Sequence, residues 1–353
     1  MGKDKLFGKT LSELSVVVKD LGLPSFTAKQ IADWLYKKHI SSIDEMTNLS
    51  KVAREKLNEN YFFGLEDFLK VQESVDGTKK YLFATLNEKF IETAMIPDAD
   101  RKTVCVSSQV GCKMGCLFCM TAKQGFQGHL STAEILNQYR NIPEWPELTN
   151  LVYMGMGEPF DNIENVLKSL EILTSDWGFA LSPKRITVSS IGLIPGLIRF
   201  LAESKCHLAI SLHNPFDEER RQLMPIQHVF PIADVLKEIR KYDFTGQRRV
   251  SFEYIMFDQI NDQPRHVKEL TRLLSGLSCR MNLIRFHPIP DTPLASSPEH
   301  VINEFKEALN AKGITTTVRS SRGKDIFAAC GLLSTKELLK KQNEQNESLT
   351  SQE

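Results

Sequence analysis

From about residue 102 onward, the sequence alternates between short runs rich in β-branched residues and longer amphipathic runs. Seven short runs predict strands at Thr103–Ser108, Leu151–Met156, Arg185–Ser190, His207–Leu212, Val250–Phe257, Arg280–Phe286 and Thr315–Arg319. Stretches between them have helical spacing, among them Thr132–Arg140, Ile163–Leu173, Ile232–Tyr242, Val267–Leu274 and Val301–Ala311. This alternation predicts a parallel sheet, open or curled into a barrel. Functional residues are then expected at the carboxyl ends of the strands.

The first part of the chain follows a different pattern. Residues 9–62 have helical spacing, and residues 68–97 contain β-rich runs around Asp76-Gly77, a strong hairpin-turn dipeptide. We predict three parts: a small helical domain with a β extension over residues 1–97, a catalytic core over 98–338, and a tail over 339–353. The tail is rich in Gln, Asn, Glu and Ser and is predicted to be disordered.

The charges balance, with 44 Lys and Arg against 44 Asp and Glu. This balance excludes a strongly basic nucleic-acid binder of the histone kind, although local basic patches remain possible. The N-terminus lacks a signal-peptide core, and the best apolar stretch, 191–198, stops at Arg199. We therefore expect a cytoplasmic protein without membrane contact. Its seven cysteines are an odd number, which favours metal or redox chemistry over a disulfide framework.

Three of these cysteines form a C-x3-C-x2-C run just after the first predicted strand of the array. Cys112, Cys116 and Cys119 are close enough in sequence to hold one compact cofactor, and thiolates are the usual ligands of iron–sulfur clusters. Three ligands leave one iron of a 4Fe-4S cluster open to chelate a small molecule. The alternative is structural zinc with His129 as the fourth ligand, but zinc sites prefer two separated ligand pairs.

The cysteine run, with Phe118 before its third cysteine, resembles the radical S-adenosylmethionine (SAM) superfamily. Further segments are similar, in order, to the RlmN-type RNA methyltransferases, relatives of the Cfr resistance enzymes: Glu92–Pro97, Thr103–Cys112, Tyr153–Pro159, Ser211–His213 and Asp325–Gly331. The resemblance runs from the Phe26–Ile31 segment to Gly331. It implies an α/β fold, a partial (βα)6 TIM-like radical SAM barrel with a small N-terminal helical domain and β extension.

The resemblance also implies the activity. Members of the family methylate C2 of an adenine in 23S rRNA and, in the RlmN branch, in certain tRNAs. They use one 4Fe-4S cluster and two SAM molecules per turnover. An electron donor such as flavodoxin or ferredoxin is implied, and we expect a monomer. The alternative within the family is a Cfr-like enzyme that methylates C8; Pro159 and the Ser320–Gly323 stretch favour the RlmN side.

By the same resemblance, three residues carry the chemistry. Cys330 is the methyl carrier, Cys105 is the thiol that forms a transient disulfide with it, and Glu92 accepts the proton from the adenine ring. An amidine-type ring carbon is a poor nucleophile, so a carbon radical must add to it. Two thiols are then needed, one to carry the methyl group and one to release the product. Lone cysteines such as Cys206 and Cys279 are interpreted as buried small hydrophobes.

The predicted SAM contacts lie at strand ends: Gly157, Glu158, Ser189, Ser211, Leu212, His213 and His287. His287 stands where the family usually has Asn, and a neutral imidazole cannot both donate and accept from one group. Basic pairs predicted to contact RNA phosphates are Lys184-Arg185, Arg220-Arg221, Arg248-Arg249 and Arg319 with Arg322 and Lys324. Two rival classes remain open, another radical SAM enzyme and a non-catalytic zinc-dependent RNA-binding protein.

Overall fold

The computed structural model describes residues 3–244 and 248–335. Its N-terminal part contains α1 (Leu11–Asp20), α2 (Thr27–Tyr36) and α3 (Lys51–Asn60), preceded by β1 (Asp4–Lys5) and followed by its parallel partner β2 (Tyr61–Phe62). The predicted helical region is confirmed. Capping chemistry sets where these helices start: a capping box of Thr10 and Glu13 begins α1, and the Ser50 hydroxyl caps α3.

The β extension consists of three antiparallel strands, β3 (Phe68–Glu73), β4 (Lys79–Ala84) and β5 (Phe90–Asp98). The Asp76-Gly77 dipeptide lies in the turn between β3 and β4, as predicted. Strand β5 then pairs antiparallel with β6 (Arg101–Cys105), the first strand of the parallel array. The extension is therefore continuous with the main sheet, and it brings the side chains of β5 next to the array.

The rest of the described chain consists of alternating strands and helices. In order they are β7 (Gln109–Val110), α4 (Met120–Gln124), β8 (Gly128–His129), α5 (Thr132–Arg140), β9 (Asn150–Tyr153), α6 (Ile163–Thr174), β10 (Ile186–Ser190), α7 (Ile194–Glu203), β11 (His207–Ser211), α8 (Asp217–Leu223), α9 (Ile232–Ile239), β12 (Val250–Met256), α10 (Pro264–Leu273), β13 (Cys279–Arg285), α11 (Glu299–Ala311) and β14 (Thr315–Val318). Each of the seven predicted strands of the array is present.

Within the described residues, the main sheet has ten strands in the order β14-β13-β12-β11-β10-β9-β6-β5-β4-β3. The seven strands from β14 to β6 are parallel, which gives six strand–helix units and a final strand. Strand β14 is an edge, so the array is an open barrel. No helix in residues 3–244 and 248–335 is long and apolar enough to span a bilayer.

Two predicted strands were three residues too long at their carboxyl ends, and four others were one residue too long. Strand β6 ends at Cys105 rather than Ser108, and β9 ends at Tyr153 rather than Met156. In both cases the chain leaves the sheet to form cross-connections, because the Ser108 and Gly155 N–H groups donate to the carbonyls of Met156 and Val106. The tail predicted over 339–353 lies outside the described residues.

Candidate active site

The three clustered cysteines lie on a loop that follows β6 and ends at α4. Gly111 has a φ of +69°, and a Cβ there would lie 1.6 Å from the carbonyl oxygen of Gly125, so only glycine fits this turn. Cys112 and Cys116 are buried and Cys119 is half-buried. All seven cysteines of the chain are free thiols in this structure. The loop therefore presents three unpaired thiols from one short segment.

These thiols open onto a cavity of about 150 Å³ at the carboxyl ends of the parallel strands. Its lining includes residues at or next to the ends of five strands, among them Met154, Gly157, Ser189, Ser211, Ile284 and Arg319, together with Glu253 from the middle of β12. Cys112, Cys116, Cys119 and Cys330 face the same space. The predicted location of the functional residues, at the carboxyl ends of the strands, matches this cavity.

The donor set of the loop fits an iron–sulfur cluster better than a single metal ion. In the described part of the chain, no three His, Cys, Asp or Glu side chains converge closely enough to share one ion. A cluster distributes its thiolate ligands over different iron atoms, so the thiols need not converge on one point. His129, the fourth ligand in the zinc alternative, instead interacts with Gln109 through Nδ1 at 3.1 Å and packs against Phe126.

Gly157 and Glu158 follow β9 and lie beside the cysteine loop. Gly157 has a φ of +96°, and a Cβ there would lie 2.4 Å from the side chain of Gln109. The Glu158 carboxylate accepts hydrogen bonds from the N–H groups of Phe160 and Ile191, each at 3.0 Å. Burial nevertheless raises the pKa of Glu158 to about 7, because the carboxylate has lost most of its water. Its charge therefore changes near neutral pH.

His213 follows β11, and its ring is fixed by two contacts. Its Nδ1 accepts a hydrogen bond from the N–H of Ile255 at 3.0 Å, and its ring packs edge-on against Phe118, with the centroids 4.8 Å apart. Burial lowers the pKa of His213 to about 3, and nearby Arg220 acts in the same direction. The ring is therefore neutral and carries its proton on Nε2, so it presents a hydrogen-bond donor.

The other predicted SAM contacts divide into two groups. Ser189 and Ser211 line the cavity, as do Gly157, Glu158 and His213. Leu212 is fully buried and does not line it, although its carbonyl accepts a hydrogen bond from Arg220 at 3.0 Å. His287 is half-buried just beyond β13 and is likewise outside the lining. Its pKa is lowered by burial, with Lys324 and Arg285 contributing, so the imidazole is neutral.

Cys330 lies on the segment after β14, which packs over the cysteine loop. The N–H of Met120, next to Cys119, donates to the carbonyl of Gly331, next to Cys330, at 2.9 Å. The Thr121 hydroxyl donates to the carbonyl of Leu333 at 2.7 Å. Cys330 is accessible from the cavity. Loss of water around the thiol nevertheless raises its pKa, and the positive charge of nearby Arg319 opposes this rise. The structure thus joins the Cys330 segment directly to the cysteine loop.

Cys105 ends β6 and belongs to a small apolar cluster with Ala94 and Ala328. Because Ala328 lies two residues before Cys330, this cluster holds the Cys330 segment against β6. Burial raises the pKa of Cys105 to about 12, and the nearby Cys330 thiol adds to the rise. The structure therefore brings together two cysteines that are 225 positions apart in sequence (330 − 105).

Glu92 is on β5, two residues from Ala94, and so points to the same face of the sheet as Cys105. Its carboxylate is buried, lies 2.9 Å from Lys80 Nζ and accepts a hydrogen bond from the Ser334 N–H at 3.0 Å. Glu92 does not line the cavity itself. Burial raises the pKa of this carboxyl, with Lys80 opposing the rise, which favours a group that can take up a proton.

Two cavity residues have structural roles that the sequence did not predict. Arg319, predicted to contact phosphate, instead forms an ion pair with the buried Glu253, with Nε 3.2 Å from Oε2. Its Nη1 lies 3.5 Å from the sulfur of Met154, which packs against the Cys105 cluster. Arg319 therefore reaches across the barrel mouth. No signal in the sequence indicated this pairing, because Arg319 follows β14 and Glu253 lies in the middle of β12, 66 positions earlier.

Two other predicted phosphate contacts are also corrected. Arg220 is fully buried, where it donates to the carbonyls of Leu212, Ser211 and Ile191. Burial lowers its pKa to about 10. Arg248 donates to two carbonyls near the end of α7, those of Phe200 and Leu201, and to that of Cys206. In both cases the guanidinium satisfies buried carbonyl groups, a need that charge spacing in a sequence does not reveal.

Family models match two parts of this chain. Residues 106–271 match the radical SAM superfamily, and residues 5–62 match the ribosomal RNA large subunit methyltransferase N-terminal domain. The crystal structure of a radical SAM methyltransferase from Sphaerobacter thermophilus is similar, with a TM-score of 0.87 and 40% identity over 94% of this chain and 99% of that one. Fold and site thus define a radical SAM enzyme, and the predicted fold class is confirmed.

Two relatives extend over nearly the whole chain. The probable dual-specificity RNA methyltransferase RlmN of Porphyromonas gingivalis is 57% identical over 330 residues, which cover 94% of this chain and 96% of that protein. The dual-specificity RNA methyltransferase RlmN of Syntrophus aciditrophicus is 42% identical, covering 97% and 99%. The chain belongs to the RlmN family of radical SAM RNA methyltransferases. Its use of a 4Fe-4S cluster and SAM, and its RNA substrates, follow from the family.

Proposed function

We propose that this enzyme methylates C2 of an adenine in 23S rRNA and in tRNA through a methyl group carried on Cys330. One observation supports this proposal most strongly. Cys105 and Cys330, which are distant in sequence, lie close together beside the loop that carries the other three cysteines. The Cys330 segment is hydrogen-bonded to the loop of Cys112, Cys116 and Cys119, and it packs against β6 at Cys105. A cluster-based enzyme that did not use two further thiols would have no need for this arrangement.

In the proposed first step, Cys330 becomes methylated. Its thiolate attacks the methyl carbon of SAM, so that a sulfur–carbon bond forms while the sulfonium carbon–sulfur bond breaks. The nearby Arg319 counteracts the effect of burial on the Cys330 thiol and so favours the thiolate. The ion pair with Glu253 holds Arg319 in place for this role. Because the carbon is now attached to the chain, the fold controls where it is delivered.

Cys112, Cys116 and Cys119 would hold the cluster, and Gly157, Glu158, Ser189, Ser211 and His213 would contact SAM. When bound, the cluster and a second SAM supply the radical chemistry that activates the methyl group of Cys330. The neutral His213 offers a donor from Nε2, and Glu158 offers a carboxylate to an ammonium group. Leu212 and His287, which do not line the cavity, remain proposed SAM contacts. The single electron is proposed to come from a flavodoxin- or ferredoxin-type donor.

Product release uses Glu92 and Cys105, which lie on the neighbouring strands β5 and β6. Once the carbon is joined to the adenine, Glu92 takes the proton from the ring carbon, and its raised pKa suits it to hold that proton. The Cys105 thiolate then attacks the sulfur of Cys330, so that a disulfide bond forms as the bond from that sulfur to the carbon breaks. The electron pair of the broken bond stays on the carbon, which takes up a proton to become the methyl group. Both residues lie on the same sheet face, which supports a role for both at one reacting group.

Nucleoside mass spectrometry tests the proposed substrate and position. Ribosomal RNA and tRNA are isolated from cells with and without this gene, digested, and compared. We expect 2-methyladenosine to disappear from both RNAs when the gene is absent, and to return when it is supplied. Loss of 8-methyladenosine instead would assign the enzyme to the Cfr-like C8 alternative. Unchanged methyladenosines would contradict the proposal.

The raised pKa of Glu158 predicts that SAM binding depends on pH. Because the folded-state pKa is about 7, Glu158 is mostly ionised at pH 8 and mostly protonated at pH 6, where it no longer attracts an ammonium group. We expect the Kd for SAM to be roughly tenfold larger at pH 6 than at pH 8, following the ionised fraction. Equilibrium dialysis on the anaerobically purified, cluster-loaded enzyme measures this.

Glu158→Gln should bind SAM weakly and without this pH dependence. An unchanged pH profile in that variant would contradict the assignment of Glu158.

A further inference from the structure

Phe327 is an exposed aromatic residue in a strained backbone position. Its side chain is 64% exposed, and its φ of +53° lies in the left-handed region that residues other than glycine rarely adopt. It lies three residues before Cys330, which lines the cavity. An exposed ring and a strained backbone are both unfavourable for folding alone, and such strain is typically found at functional sites.

The surrounding structure holds this conformation firmly. The Asp325 carboxylate accepts hydrogen bonds from the Ser74 hydroxyl at 2.5 Å and from the Val75 N–H at 3.2 Å, both in the β3–β4 turn. Within the segment, the Ala328 N–H donates to the Gly323 carbonyl at 2.8 Å. The exposure of Phe327 therefore results from a defined conformation, fixed from two sides.

Packing directs the ring away from the protein. Ile326 and Ala328, the two neighbours of Phe327, both pack on the apolar cluster around Cys105. The side chain between them is left on the solvent side, as its exposure confirms. In the adjoining turn, Val75 is 98% exposed. Two apolar side chains thus project from two loops that are hydrogen-bonded to each other, the β3–β4 turn and the Cys330 segment.

An exposed cation lies in the same segment as the ring. Lys324 is exposed, whereas Arg322 is half-exposed and pairs with Asp98, with Nη2 3.5 Å from Oδ1. The Asp325 carboxylate binds the β3–β4 turn and the Asp76 carboxylate accepts from the Gly323 N–H at 2.9 Å, so the protein's own donors engage both acids. An aromatic ring beside cations is the usual pattern for binding single-stranded nucleic acid, in which bases stack on the ring and phosphates meet the cations.

We propose that Phe327 stacks on the nucleobase next to the target adenine, with Lys324 facing the adjoining phosphate. This inference rests on the proposed function. An adenine that reaches Cys330 must leave its own stack or come from a single strand, so its neighbour is left unstacked. The Phe327 ring is exposed three residues before Cys330, and stacking on it would replace the contact that the neighbouring base has lost.

Phe327→Asn tests the proposal while preserving the loop, because asparagine adopts the left-handed conformation more readily than phenylalanine. The probe is an unmodified tRNA transcript, with binding to the cluster-loaded enzyme followed by fluorescence anisotropy. We expect the Kd to increase by roughly fivefold to a hundredfold, as is typical for loss of one aromatic stacking contact. Phe327→Trp should bind as tightly as the wild type. Methylation of Cys330 by SAM, measured by mass spectrometry, should be unchanged in both variants.

Ile198→Asn is the matched control, since Ile198 is also an exposed apolar residue, on the outer helix α7. It should leave the Kd for tRNA unchanged. Wild-type RNA affinity in Phe327→Asn would overturn the proposal, and so would a loss of Cys330 methylation, which would indicate a structural role. A change in oligomeric state instead would mean that the ring contacts a second copy of the chain. Failure of the wild type itself to bind RNA would reject the proposed function rather than this inference alone.

Discussion

Replacing Cys330 by alanine is expected to abolish methylation of RNA. Without the thiol there is no carrier for the methyl group, and loss of a covalent nucleophile typically reduces turnover by more than about a thousandfold. The cluster should remain, because its three proposed ligands are on a different loop. The measurement is methyl transfer to total RNA from cells lacking the gene, together with the mass of the Cys330 peptide, which should carry an added methyl group only in the wild type.

Cys279→Ala is the matched control, because Cys279 is a half-buried free thiol on β13. We expect it to retain both the activity and the methyl mark on Cys330. A Cys330→Ala enzyme that still methylated RNA would show that the methyl group passes directly from SAM to the base. The proposed carrier would then be wrong, although membership in the family would stand.

Replacing Cys105 by alanine is expected to trap the RNA on the protein. Cys330 can still accept the methyl group and deliver it to the adenine, but no thiol remains to attack the Cys330 sulfur and break its bond to the added carbon. After nuclease digestion, the Cys330 peptide should retain the mass of a nucleotide, and release of methylated RNA should fall by more than about a hundredfold. The substitution is small and apolar, so the cluster with Ala94 and Ala328 should persist.

A Cys105→Ala/Cys330→Ala double variant provides the control, since it lacks the attachment point and should form no adduct. An adduct in that variant would place the link on another residue. If Cys105→Ala released methylated RNA at the wild-type rate, the disulfide step would be unnecessary and Cys105 would be a core residue. The raised pKa of this thiol and its apolar neighbours would then have a purely structural explanation.

Local patterns were enough to predict much of this protein. The seven parallel strands follow from runs of β-branched residues, and helix α5 occupies the residues predicted for it. The cysteine spacing directly predicted three thiols on one loop. These features depend on residues near one another in the chain, and in such cases side-chain periodicity and turn chemistry are decisive. Strand ends were less predictable, because the residues beyond Cys105 and Tyr153 form hydrogen bonds with each other rather than within the sheet.

The roles of charged residues needed the tertiary structure. Arg220 and Arg319 looked like members of solvated basic pairs, yet one binds buried carbonyls and the other binds Glu253 across the barrel mouth. A sequence does not show which group each charged side chain pairs with. A buried charge is stable only when a nearby partner compensates it. The same is true of Glu158, whose carboxyl pKa rises only because the fold removes water around it.

Residue patterns along the chain were enough to predict the alternating fold, the three-thiol loop and, by resemblance, the family. The folded chain was needed to show that the β extension continues the main sheet, which aligns Glu92 with Cys105, and that the Cys330 segment lies across the cysteine loop. The two sets of features differ in the range of the interactions that produce them. Periodicity and spacing act over a few residues, whereas a site assembled from β5, β6 and the segment after β14 depends on strand pairing and packing between distant parts of the chain.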